Sequence, residues 1–186
     1  RSPQLETRSP KIENTMNRLD RQMRIEGWNQ PALDRARIGV VGDDDLLASF
    51  FMLSAAALGI NSLVVIGPVL DSRLEDIAFK VNPLFDLTHV EGLYTHSALD
   101  VIFGRCDLMV DLTHYGLANK LLLEKGFREH VPVVRGLCYE TGNEQGFRVL
   151  TYFRGREWRE LERVVSSRNL PGKHFDDGVL DLIAAG

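Results

Sequence analysis

The sequence predicts an α/β fold: a mostly parallel sheet with helices on both faces and a C-terminal antiparallel hairpin. Three observations predict it. Short apolar runs, Ile38–Val41, Ser62–Ile66 and Asp107–Asp111, have the character of strands buried on both faces. Helix-forming segments alternate with those runs, the pattern of a parallel sheet with crossover helices. Near the end, Leu137–Glu140 and Phe147–Phe153 flank the turn-rich stretch Thr141–Gly146, which is hairpin chemistry.

The elements follow in order. Arg1–Thr15 is polar, carries two Ser-Pro steps and reads as an extended arm. One domain is expected over residues 16–186. Met16–Glu26 is charged, with apolar points at Leu19, Met23 and Ile25, so a short amphipathic helix is expected, stopped by Gly27. Pro31–Arg35 reads as a second helical turn. Ile38–Gly42 is a buried strand. Leu46–Leu58 is apolar, rich in alanine and closed by Gly59, which predicts a helix. Ser62–Ile66 completes a βαβ unit of about 30 residues, so the sheet is Rossmann-like. Asp71–Lys80 is a helix, Leu87–Glu91 a strand, Ser97–Phe103 a helix and Asp107–Asp111 a strand. Leu117–Glu129 is a helix and Val131–Val134 a strand before the hairpin. Trp158–Val165 is a charged helix and Asn169–His174 a loop. Val179–Ala185 is an apolar helix running off the end, an abrupt stop that suggests further residues beyond Gly186 without deciding it.

Composition narrows the function classes. The 186 residues are 44% hydrophobic and 26% charged, an ordinary globular mixture. A net charge of −4 does not favour nucleic acid as the main partner. The longest apolar stretches are too short or too interrupted to span a bilayer, so no membrane partner is expected. The polar start shows no signal-peptide pattern, and a cytoplasmic location is expected. Cys106 and Cys138 form no Cys-x-x-Cys pair, so no zinc site of usual spacing is expected; both read as small core residues.

Several segments, in this order, resemble one family. Arg18-Leu19-Asp20-Arg21-Gln22-Met23-Arg24 resembles the R-Y-D-R-Q-x-R opening of the E1-like superfamily, the ThiF/MoeB/HesA group. Leu33–Gly42 resembles that family's lead into its first strand. Asn82-Pro83, Cys106–Thr113 and Val131–Cys138 resemble later motifs, and the similarity covers roughly Arg18 to Gly186. The resemblance implies a protein that adenylates a carboxylate with MgATP. The usual substrate is the C-terminal glycine of a ubiquitin-like or sulfur-carrier protein. It also implies a homodimer, in which Arg21 matches an arginine that reaches into the partner's active site.

Set against the family's motifs, the candidate nucleotide residues are mostly replaced. Gly42-Asp43-Asp44-Asp45-Leu46-Leu47 stands where the family has Gly-x-Gly-Gly-Leu-Gly, so only Gly42 and Leu46 match. Three carboxylates beside phosphate oxygens set like charge against like; at a helix start they suit the helix dipole, and Asp43–Asp45 are expected to cap the helix. Gly67 replaces the acid that would grip the ribose. Arg73 and Lys80 are the remaining basic candidates for the triphosphate, against the plainer reading of surface charges on a helix. His114 stands where the family holds magnesium through an acid, and can serve as an acid/base group. Asp111 matches a family acid outside that role.

Two readings follow from the resemblance. In the first, the chain is a dimeric binding or partner protein with an eroded ATP site and no cofactor of its own, acting in a ubiquitin-like, sulfur-carrier or cofactor-biosynthesis pathway. In the second, it is a diverged adenylyltransferase that activates a carboxylate with MgATP, on a carrier protein or a small molecule, as in assembly of the iron-guanylylpyridinol cofactor. A nicotinamide-dependent oxidoreductase ranks last, because the G-x-G-x-x-G loop and the strand-end acid are both missing.

Overall fold

The computed structural model describes residues 19–91, 96–114, 116–141 and 144–152. The N-terminal arm, the helices expected at Trp158–Val165 and Val179–Ala185 and the loop between them lie outside the described residues. Residues 19–23 are helical (α1). There follow α2 (Gln30–Arg35), β1 (Arg37–Gly42), α3 (Asp45–Leu58), β2 (Ser62–Gly67), α4 (Ser72–Val81) and β3 (Asp86–Glu91). The chain then forms α5 (His96–Phe103), β4 (Leu108–Leu112), α6 (Gly116–Glu129), β5 (Val133–Thr141) and β6 (Glu144–Tyr152).

The six strands form one sheet in the order β3-β2-β1-β4-β5-β6. β1 to β5 pair in parallel, and β6 returns antiparallel on β5. The chain builds outward from β1 to β3, then crosses to the other side of β1 and continues with β4. The direction of building therefore reverses between β1 and β4. In open α/β sheets ligands bind outside the carboxyl ends of the strands at such a point.

Alternation along the strands divides the core in two. Ile38, Val40, Leu63, Val65, Val110 and Leu112 face α3 and α4, against Leu47, Met52, Ala55 and Ala56. Val41, Ile66, Met109 and Val133 face α5 and α6, against Leu99, Ile102, Leu122 and Leu123. Each fully buried Val or Leu side chain contributes about 1.5–3 kcal/mol, so the two layers rather than helix propensity hold the sheet.

α3 starts at Asp44, whose side chain accepts two helix-end N–H groups, and stops at Gly59, whose φ of 88° is left-handed. Asn82 closes α4 from inside: its Nδ2 donates to Ile60 O at 3.0 Å, and its Oδ1 accepts from Leu84 N at 3.2 Å. The Asn-Pro step therefore anchors the turn into β3.

Three local expectations are corrected. α1 is shorter than Met16–Glu26 within the described residues, and Met23 and Ile25 are exposed rather than packed. Asp107 precedes β4 and instead binds Arg37 through that residue's backbone N–H and guanidinium. The strands expected at Val131–Val134 and Leu137–Glu140 are one continuous β5. Gly136 does not break it. A Cβ there would lie 3.0 Å from Leu112 Cδ2, so glycine lets β4 and β5 approach.

Candidate functional site

The candidate site lies at the carboxyl ends of β1, β2 and β4. The turn from β1 into α3 carries Asp43, Asp44 and Asp45, and each carboxylate has a different partner. Asp44 is buried; its Oδ1 accepts from Leu46 N at 3.0 Å and Leu47 N at 2.9 Å. Asp45 reaches the loop after β2, where its Oδ1 accepts from Val69 N at 2.8 Å. Asp43 crosses to the loop after β4. There it accepts the backbone N–H of His114 at 2.9 Å and meets the ring Nδ1 at 2.6 Å. Only Asp44 caps the helix, which corrects the expectation for all three.

Electrostatics explain the arrangement. A helix N-terminus leaves N–H groups unpaired and carries partial positive charge. Those two properties make a seat for an anion. Here the seat is filled by the chain's own Asp44 carboxylate. Asp43 and Asp45 tie the flanking loops to the same turn.

The end of β2 is equally specific. Gly67 has φ of 108°, a conformation that L side chains rarely adopt. Beyond it, Asp71 caps α4 by accepting from Arg73 N, and its carboxylate also holds the Arg73 guanidinium at 2.8 Å. The Arg73 side chain holds the Asp71 carboxyl down at about 2. Arg73, Asp71, Ser49 and Asp45 line an open groove of about 400 Å³ between α3 and the loop after β2.

Asp111 does not open onto this crevice. It is fully buried, with Oδ1 accepting from Thr113 N at 2.9 Å and Thr113 Oγ1 at 2.6 Å, and Oδ2 accepting from Asn119 Nδ2 at 2.5 Å. Burial pushes its carboxyl above the usual carboxylate range, against the lowering effect of Thr113, Arg135 and Asn119. Its place is under the site, holding the turn that presents His114.

The sequence matches no protein-family model and no curated protein. Solved structures do resemble it. PaaA superposes with a TM-score of 0.66 at 14% identity, over 98% of this chain and 66% of PaaA. MccB from E. coli, solved with AMPCPP and MccA, gives 0.63 at 14% identity, over 94% of this chain and 61% of MccB. TcdA, the E. coli tRNA N6-threonylcarbamoyladenosine dehydratase, gives 0.56 at 16% identity, over 68% of this chain and 63% of TcdA. All three are E1-like proteins of the ThiF/MoeB group. The chain has the E1-like fold. It spans under two thirds of the length of these E1-like structures.

On this E1-like frame the sequence-derived candidates separate into groups. Gly42, Asp43, Asp44, Asp45, Leu46, Gly67 and His114 gather at the carboxyl ends of the strands, with Arg73 beside them. Lys80 is exposed in the last turn of α4, two turns beyond Arg73. Arg21 is exposed on α1. α1 lies by Gly59, at the far end of α3 from Asp44, since a Cβ on Gly59 would come within 3.2 Å of Leu19 Cδ1. Within one chain Arg21 therefore belongs to the opposite end of the molecule. Cys106 is buried and its thiol is pushed up to about 11 by burial, which leaves it inert as a nucleophile.

Arg135 and Asn119 were not among the sequence candidates. Arg135 is almost fully buried in β5, and the sheet register sets it opposite Asp111. The available signal was a lone arginine inside the apolar run Val131–Cys138.

Proposed function

We propose that the chain is an E1-like binding or partner module that does not itself adenylate, serving a ubiquitin-like, sulfur-carrier or cofactor-biosynthesis pathway. The observation that carries this reading is the Asp44 carboxylate on the N–H groups of Leu46 and Leu47. A phosphate at this turn needs those donors and would meet a buried negative charge in their place. Asp43 and Asp45 place two more carboxylates on the same turn, and Gly67 supplies no acid for a ribose. ATP–pyrophosphate exchange with MgATP and candidate carboxylates tests the reading. No exchange above the protein-free rate is expected; exchange that depends on one carboxylate would overturn it.

The same reading includes a homodimer, for which Arg21, exposed on α1, is the residue offered to a second copy. Light scattering should give twice the chain mass, and a monomer mass at micromolar concentration would remove this element. Among the described residues no helix is long and apolar enough to cross a membrane. A cytoplasmic setting is part of the proposal.

A second reading has its own support. MccB, which shares the fold, has been solved with the ATP analogue AMPCPP. On that basis the chain is a diverged adenylyltransferase using MgATP, with Arg73, which lines the groove beside Asp45 and Leu46, as a cation for the triphosphate. Carboxylate-dependent pyrophosphate exchange is the result that selects it.

A further inference from the structure

Beneath the crevice, on the face covered by α5 and α6, lies a second polar cluster. Asp111 ends β4, Arg135 stands opposite it on β5, and Asn119 descends from the first turn of α6. All three are buried. The cluster is incompletely paired. Arg135 Nε stops 3.8 Å from Asp111 Oδ2, beyond hydrogen-bond length, while Nη2 reaches Thr113 O at 3.4 Å. Among the described residues, Arg135 Nε and Asn119 Oδ1 find no hydrogen-bond partner. Buried polar groups rarely go unpaired, and buried waters typically bond groups that the protein leaves unsatisfied.

We propose that Asp111, Asn119 and Arg135 form a binding site for one buried water molecule. Among the described residues the buried atoms left unpaired here are one donor, Arg135 Nε, and one acceptor, Asn119 Oδ1. A single water satisfies both, and it can donate its other proton to Asp111 Oδ2. The Arg135 guanidinium disfavours a cation as the occupant, and the Asp111 carboxyl disfavours an anion. The spacing fits as well. A water oxygen at about 2.9 Å from each end of the 3.8 Å gap closes a triangle with an apex of about 82°. The occupant bridges β4, β5 and α6 at Asp111, three residues before His114, so it fixes the turn that Asp43 grips.

The test uses the wild-type chain. Water–protein NOE spectra, with Arg135 Nε–H and the Asn119 side-chain amide assigned, should show cross-peaks from both groups to a long-lived water, with the sign of a bound molecule. A crystal structure at atomic resolution should place one water within hydrogen-bond distance of Arg135 Nε and Asp111 Oδ2. Absence of the cross-peak at Arg135 would overturn the proposal. So would a crystal structure in which Nε bonds directly to the Asp111 carboxylate.

Discussion

Asp43 and His114 join the two lips of the crevice: a carboxylate on the loop after β1 holds both the backbone N–H and the ring Nδ1 of a histidine on the loop after β4. The two residues are 71 positions apart in sequence, and both side chains are largely buried. Hydrogen bonds to a charged group contribute about 1.5–3 kcal/mol each in favourable cases. Asp43→Ala should therefore lower unfolding free energy by about 1–3 kcal/mol in urea denaturation. His114→Ala should cost less, because Asp43 keeps the backbone N–H. A double-mutant cycle separates the ring contact from the backbone one, and zero coupling between the two side chains would contradict it.

Asp44 acts as the N-cap of α3. Replacing a capping Asp by Ala costs about 0.5–2 kcal/mol. Asp44→Ala is expected at the upper end of that range, because it leaves the N–H groups of Leu46 and Leu47 without their acceptor. Asp44→Ser should recover part of the loss. Equal stabilities for wild type and Asp44→Ala, by thermal or chemical melts, would mean that the carboxylate does not occupy the helix end.

Restoring an acid at Gly67 should not restore a ribose site. With φ at 108° an aspartate there is strained, at a cost of about 1–3 kcal/mol. Gly67→Asp is expected to melt at lower temperature than wild type and to gain no nucleotide affinity. A variant as stable as wild type that binds adenosine would reverse this account of β2.

The pH dependence of stability isolates Asp111. Burial raises its folded-state pKa above the unfolded value, so the folded chain holds a proton that the unfolded chain has released. The stability of wild type relative to Asp111→Asn should fall as pH rises from the ordinary carboxylate range through the raised pKa. Below the unfolded pKa the difference should be flat. A difference that grows with rising pH would show that pairing with Arg135 outweighs burial.

The fold was legible because its central strands β1, β2 and β4 are mostly apolar and its helices end at recognisable residues, Gly59 among them. β5 was divided wrongly because Arg135-Gly136 has the look of a break, whereas the pairing with β6 runs through both residues and Leu112 packs against Gly136. The site was legible in part. Three aspartates at a helix start signal an anion already in place, but their separate partners, His114 and Val69, are remote in sequence. Arg135 stayed hidden for a related reason: its pairing with Asp111 exists only once the β4–β5 register is set.

The Asp44 carboxylate occupies the N–H groups at the start of α3, so the turn after β1 is expected to exclude a nucleotide phosphate. Calorimetric titration of the wild-type chain with MgATP tests it most directly. The account predicts no saturable binding at micromolar or submillimolar nucleotide. Micromolar affinity for MgATP, lost when Gly42 or Leu46 is altered, would contradict it and establish the nucleotide site as functional.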